Sequence, residues 1–524
     1  MSGEENLKKP AAWLSKSWFW LLAVIFLALI ARLYHITYLI DDMHAFKQTA
    51  NAGLIRDYYR HGINILYPTK ITLGKPGYMV QEFPLYTAAA ALLYKLFTPD
   101  IIVARFFTIF IGLVSIFFVY RISSRFLDKK SSVFAALCFA FMPLDIFFQR
   151  TPMQDPLTVL FSLVMLDFLI GGITGKNVFL IMGILAASLG FMMKSPFVAP
   201  LFLPVFYLAW SRNKKIGDLF APRLLLSFLV PFVVMVIWQR HANFVNETYV
   251  HKDAYPFNNV YPTIVVTLHP FNAWYFGTLA QRLDPANYLT ILRRLAMYVL
   301  TPMGTVFFAI GAIRLAKKEK ESFAFLLAWL ISLCLVAMMA FNLFVVHNYY
   351  LLPFCPVLSI FCGAGGGYLM DLLKKFTGKT IAAASAAIIA TVFILAGFSI
   401  SKYFYKDTLY SYFGTNFLAE IGNFIHQNTE TGKLVAIVYP SDHVNLSTTY
   451  YPVPMYYADR HGFVIPLNMM NGKMLDYMRS QHVKYLAKIA FSGLSGYDLT
   501  TRIFDISGGK PVLKASCTAS LRPG

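Results

Sequence analysis

Residues 17–44 read SWFWLLAVIFLALIARLYHITYLIDDMH. The apolar run from Ser17 to about Tyr38 has the roughly 20 residues needed to cross a bilayer core of about 30 Å. Lys8, Lys9 and Lys16 precede it. The run is longer than a signal-peptide core and no small-residue cleavage site follows. It therefore reads as a first transmembrane helix with its N-terminus inside, and Asp41, Asp42 and His44 emerge directly on the other side.

The rest of the 524-residue chain repeats that pattern. Hydrophobic residues make up 57% and charged residues 14%, against about 45–50% and about 25% in soluble domains. Mean hydropathy is +0.56. An ordinary soluble enzyme, a disordered chain and a collagen-like fibre are excluded. Lys and Arg total 46 against 26 Asp and Glu, a net charge of +20. The basic residues fall in short clusters between apolar runs, the mark of cytoplasmic loops rather than of a nucleic-acid surface. The five cysteines show neither metal nor redox spacing.

Further apolar runs occupy residues 101–120, 131–148, 156–170, 178–193, 197–210, 224–239, 295–316, 323–346, 350–370 and 381–400. The stretch 83–97 is ambiguous. Counting it as a span would put Arg121, Arg125, Lys129 and Lys130 outside. Laying it along the interface puts them inside with Arg212, Lys214, Lys215, Lys317, Lys318, Lys320, Lys374 and Lys375, which satisfies the charge rule at every short loop. The expectation is eleven spans, N-terminus inside and C-terminus outside. Outer segments then cover residues 39–99 and 241–294, and everything after about 400. From 401 the composition becomes soluble. Strand signals at 433–439 and 502–506 and a helix signal at 472–481 suggest a small α/β domain. No repeat divides the chain.

The candidate chemistry gathers at outward helix ends. Adjacent carboxylates at a membrane surface need a partner or a role; for Asp41-Asp42 the structural alternative is capping of a helix over residues 45–59. Glu82 and Tyr86 lie in Val80-Gln81-Glu82-Phe83-Pro84-Leu85-Tyr86, Asp155 in Gln154-Asp155-Pro156, and Lys194 in Met193-Lys194-Ser195-Pro196. Each alone reads equally well as a snorkelling side chain or a cap. Their common placement on one side favours a site. No His-x-x-x-His spacing occurs among His44, His241, His251 and His269.

These motifs, followed by His347-Asn348-Tyr349-Tyr350-Leu351-Leu352-Pro353, resemble in order the C-type (GT-C) glycosyltransferases, nearest the protein O-mannosyltransferase and lipid A aminoarabinose transferase superfamily. The likeness spans about residues 17–400. It implies a GT-C-like polytopic α-helical membrane protein of about 11 transmembrane helices with a small C-terminal extracytoplasmic α/β domain. It also implies transfer of a sugar from a polyprenyl-phosphate carrier to a hydroxyl acceptor on a protein, lipid or glycan, at the outer face of the cell membrane. Asp41, Asp42, Glu82 and Asp155 become the catalytic candidates. His44, Tyr86, His347 and Tyr349 become candidates for substrate binding. The family's usual Asp-Glu pair is Asp41-Asp42 here, which leaves the base open between them. The family's Glu-Lys-Pro variant reads Glu82-Phe83-Pro84 here, so the resemblance leaves the charge of that lysine, often near the donor phosphate, to Lys194, Arg105 or Arg32.

Chemistry supports this. A sugar phosphate is already activated, so a carboxylate base for the acceptor hydroxyl and cations for the leaving phosphate suffice. No Gly-rich phosphate loop is present. Asp41, Asp42 and Glu82 are oxygen ligands of the type that hard divalent cations prefer, but ligand spacing and the resemblance favour a reaction without a metal cofactor. The competing readings are a lipid-linked glycan polymerase or ligase, a lipid or solute transporter, and a non-catalytic scaffold. The absence of two matching halves argues against the transporter.

Overall fold

The structure is a computed structural model that describes residues 11–40, 42–173, 175–249, 273–405, 417–439, 452–492, 498–508 and 510–520. Its helices run α1 (Ala11–Leu33), α2 (Ala45–His61), α3 (Leu85–Leu96), α4 (Ile101–Ser123), α5 (Lys129–Phe141), α6 (Pro143–Phe148), α7 (Asp155–Gly172), α8 (Asn177–Val198), α9 (Phe202–Asn213) and α10 (Pro222–Tyr249). Further along come α11 (Ala273–Phe276), α12 (Leu279–Leu283), α13 (Pro285–Arg294), α14 (Thr301–Lys318), α15 (Lys320–Met339), α16 (Phe341–Val346) and α17 (Phe354–Tyr405). Boundaries follow local chemistry. Asp100 caps α4 by accepting from the Ile102 amide, and Asp128 caps α5 from the Lys130 and Ser131 amides, each taking up donors a helix start leaves orphaned.

Among the described residues, eight helices are long and apolar enough to cross a membrane. The eleven expected runs are all helical, but not all stand as separate full-length spans. The runs at 178–193 and 197–210 join into one apolar stretch, Asn177–Arg212, bent at Lys194 and passing through a 3₁₀ turn at Ala199–Leu201. The 131–148 run breaks at Pro143 into α5, of 13 residues, and α6, of 6. Conversely, α17 is 52 residues long and turns at Gly378, where φ is +78°, a conformation open to glycine. The 12-residue α3 reaches only about 18 Å at 1.5 Å per residue, too short to cross.

The C-terminal unit holds α18 (Phe417–Asn428), α19 (Pro452–Ala458) and α20 (Gly472–Ser480) around a five-stranded sheet of order β2-β1-β3-β4-β5. Here β1 is Leu434–Tyr439, β2 Gly462–Pro466, β3 Val483–Ser492, β4 Asp498–Asp505 and β5 Val512–Ser520. β1 pairs in parallel with β2 and β3, and β3–β4–β5 is antiparallel.

This unit is built onto the segment between α1 and α3. Ile40, Ala45, Ala52 and Ile71 belong to the same apolar core as Leu418, Ile421, Val435, Val453 and Ile503. The edge of β2 is extended by the 69–78 loop: the Gly462 amide donates to the Ile71 carbonyl at 3.0 Å, and the Gly74 amide to the Gly462 carbonyl at 2.9 Å. On α2, Arg56 and Arg60 both pair with Asp459, and Asp57 accepts from Thr69 and lies 2.9 Å from His461 Nε2. Lys47 of α2 meets Asp155 at the start of α7, and Asp155 meets Lys194 at the bend in α8. Arg105 near the start of α4 meets the Ile36 carbonyl, and His44 meets Asn348 in the α16–α17 turn. All of these therefore share one end of the bundle.

Candidate active site

At that end four charged side chains interlock. Lys47 Nζ lies 2.8 Å from Asp155 Oδ2 and 3.8 Å from Glu82 Oε1. Lys194 Nζ pairs with Asp155 Oδ1 and lies 3.4 Å from Glu82 Oε1. Asp155 thus gives one oxygen to each lysine, and Glu82, 25% exposed, is the most open member. Two cations balance two carboxylates.

Local structure explains the placement. Lys194 leaves helical geometry (φ −154°, ψ 69°) two residues before Pro196, because proline withdraws a backbone donor and crowds the preceding turn. Asp155 begins α7 with Pro156 behind it, a favourable position for a carboxylate. His44 takes a left-handed φ of +59° ahead of α2, and Lys47 follows three residues on, on the same helical face.

An aromatic wall closes one side. The Tyr349 ring lies 4.4 Å from Lys47 Nζ and the Tyr350 ring 4.9 Å from Lys194 Nζ. Both rings come from the 3₁₀ turn Asn348–Leu351. His44 Nε2 is 2.9 Å from Asn348 Oδ1. Its ring stands 5.2 Å from that of His347 and 4.8 Å from that of Tyr349, and His347 stacks on Tyr349. Burial pushes the His44 imidazole down to about 4, and burial with the neighbouring His44, Lys47, Arg294 and Lys194 pushes His347 well below its ordinary value. Both rings are neutral at pH 7.

Six expected residues come together here: Glu82, Asp155, Lys194, His44, His347 and Tyr349. Asp42 lies alongside but turns away. Its Oδ1 accepts from Gln48 Nε2 at 2.6 Å and its Oδ2 from Arg150 Nη2 at 2.5 Å. The capping alternative does not hold for Asp42, since α2 has no side-chain cap. Asp41 lies outside the described residues. Arg105 stands behind this segment: its Nη1 donates to the Ile36 and Tyr38 carbonyls, while its Nε and Nη2 have no hydrogen-bond partner among the described residues.

Two expectations are corrected. Arg32 is wholly buried, giving its Nη2 to Asp145 at 2.8 Å and its Nε to Gln149 at 3.1 Å, so it braces α1 against α6 and is sealed from any ligand. Tyr86 is fully buried, and its hydroxyl meets the Ala104 carbonyl and Thr108, which locks α3 onto α4. Sequence reasoning missed Lys47 and Arg150. Lys47 carried a signal, the three-residue spacing from His44; Arg150 carried none, because its partner is 108 residues away. Among the described residues no group of three or more His, Cys, Asp or Glu side chains could hold a metal.

Residues 79–238, which carry Glu82, Asp155 and Lys194, match the family model described as dolichyl-phosphate-mannose-protein mannosyltransferase. ArnT from Cupriavidus metallidurans, bound to undecaprenyl phosphate, superposes with a TM-score of 0.60 over 92% of this chain and 93% of that one, at 13% identity. This is the C-type glycosyltransferase fold. The archaeal oligosaccharyltransferase AglB from Archaeoglobus fulgidus, in complex with an inhibitory peptide and a dolichol-phosphate, shares it with a TM-score of 0.56 at 14% identity, over 91% of this chain and 70% of that one. No curated protein matches by sequence. Both superpositions span the C-type bundle and extend into the C-terminal part of the chain.

Proposed function

We propose that the protein is an integral-membrane glycosyltransferase that moves a sugar from a polyprenyl-phosphate carrier to a hydroxyl acceptor. One observation carries the reading: two lysines, Lys47 and Lys194, converge at one bundle end, held by carboxylates that an incoming phosphate can displace. ArnT bound to undecaprenyl phosphate and AglB with dolichol-phosphate support a lipid-borne donor.

The sugar C1–oxygen bond to the phosphate breaks as the acceptor oxygen bonds to C1. The electron pair stays on the phosphate oxygen, where Lys47 and Lys194 stabilise the growing charge. The acceptor proton passes to a carboxylate base. Since both oxygens of Asp42 are engaged, Asp41 is the preferred base. The neutral imidazoles of His44 and His347, with Tyr349, supply hydrogen bonds and a flat apolar face for the sugar. The loop-charge rule places this end, with the C-terminal unit, on the extracytoplasmic side of the cell membrane. No metal is required by this scheme.

The test is a turnover assay of the purified protein in detergent, with polyprenyl-phosphate hexoses and aminopentoses. Release of free polyprenyl phosphate is expected with at least one donor. Asp41→Asn should lower turnover by about 10²–10⁴ with little change in donor affinity. Failure to consume any donor overturns the reading, and an unimpaired Asp41→Asn overturns the base assignment.

A further inference from the structure

Two ion pairs of opposite polarity join the segment 42–47 to the turn 150–155. Arg150, on the turn, pairs with Asp42 on the segment; Asp155, on the turn, pairs with Lys47 on the segment. Asn51 Nδ2 adds a bond to the Pro152 carbonyl at 3.1 Å. The two pairs differ in what else they touch. The Lys47–Asp155 pair belongs to the charge cluster beside partly exposed Glu82. The Arg150–Asp42 pair is almost wholly buried, at 1% and 4% side-chain exposure. Arg150 Nη1 also donates to the His35 carbonyl at 3.1 Å, and its guanidinium lies 4.2 Å from the Tyr405 ring. Nearby, the Met43 amide donates to the Phe404 carbonyl. One guanidinium thus binds the end of α1, the segment before α2 and the last turn of α17.

We infer that Arg150 is a positioning residue: it fixes the Asp42–Lys47 segment, and with it His44 and Lys47, against Asp155 while the Lys47–Asp155 pair opens to admit the donor phosphate. This rests on the glycosyl-transfer reading above. A ligand that takes Lys47 removes one of the two ion pairs, so the Arg150–Asp42 pair is then the ion pair that still ties the segment to the turn. Arginine suits the task, since its planar fork satisfies a carboxylate and a carbonyl while stacking on an aromatic ring. Lysine can supply only the point charge.

The test compares wild type, Arg150→Lys and Arg150→Met in detergent, reading donor KM, kcat, and undecaprenyl phosphate binding by thermal shift. For Arg150→Met, kcat should fall on the order of 10²-fold, the effect of a misplacement near 1 Å, with donor KM within threefold of wild type and undecaprenyl phosphate still bound. Arg150→Lys should recover part of the loss. If Arg150→Met does not fold, Arg150→Lys alone decides, by a fall in kcat at unchanged KM. A rise in KM with unchanged kcat would make Arg150 a phosphate ligand and overturn the inference, as would wild-type kinetics in a less stable protein. A wild type that consumes no donor is a separate result, and overturns the functional reading itself.

Discussion

Asp42 and Lys194 show how much a single buried charge depends on its partner. Removing one member of a buried, hydrogen-bonded pair leaves the other uncompensated, at about 3–5 kcal/mol. Lys194→Met should lower stability by less than that, because Lys47 still pairs with Asp155, and raise donor KM tenfold or more, since two carboxylates against one lysine would repel the phosphate; unfolding in detergent and donor titration measure both. His44 gives a pH signature. Its folded imidazole takes a proton only near 4, against an ordinary 6.5, so acid favours the unfolded chain. The contribution is fully present above pH 6.5 and is lost as pH falls toward 4. Stability curves from pH 7.5 to 4.5 should be shallower in His44→Gln than in wild type; parallel curves would remove this assignment.

At the scale of elements, the decisive feature is the short α3. Twelve residues do not cross a bilayer, and on that ground we propose that the basic loop after α4 lies inside. With the five native cysteines replaced by serine or alanine, a Ser124→Cys protein should be labelled by an impermeant maleimide only after cells are opened. Labelling from outside would put α3 across the membrane and invert every helix after it. The bends at Lys194 and Gly378 follow the same logic from opposite sides. One is forced by a proline beyond a charged residue, the other allowed by a glycine at positive φ, and each sits where the sequence shows a break in the apolar run.

Across the whole molecule, the C-terminal unit and the segment between α1 and α3 fold as one body. The contact at Gly462, on the β2 strand that also receives the 71–74 loop, is the tightest among the described glycines: a Cβ there would lie 1.7 Å from the Val435 carbonyl oxygen of β1. Gly462→Val should detach that loop from the sheet. Limited proteolysis should then cut within residues 62–80 faster than in wild type, and turnover should fall because α2, which carries Lys47, loses its anchor. Equal cleavage rates would show that the edge pairing is dispensable.

Much of this was legible in residue order. Apolar runs of bilayer length and their flanking lysines and arginines determine a polytopic membrane protein, since no other environment accepts so many unbroken runs. The carboxylates and Lys194 at helix ends announce a site because charge at a membrane boundary needs a partner. In the C-terminal unit the alternating runs gave β1, α20 and part of β4, whereas β2 and β3 lacked local signals strong enough to stand out. What residue order could not supply is pairing across distance. Only the folded chain decides that Asp155 is shared by Lys47 and Lys194, that Arg32 is spent on Asp145, or that Arg150 reaches Asp42. Ion pairs leave no periodicity in a sequence: any cation can meet any carboxylate, and burial at the helix crossings selects which ones do.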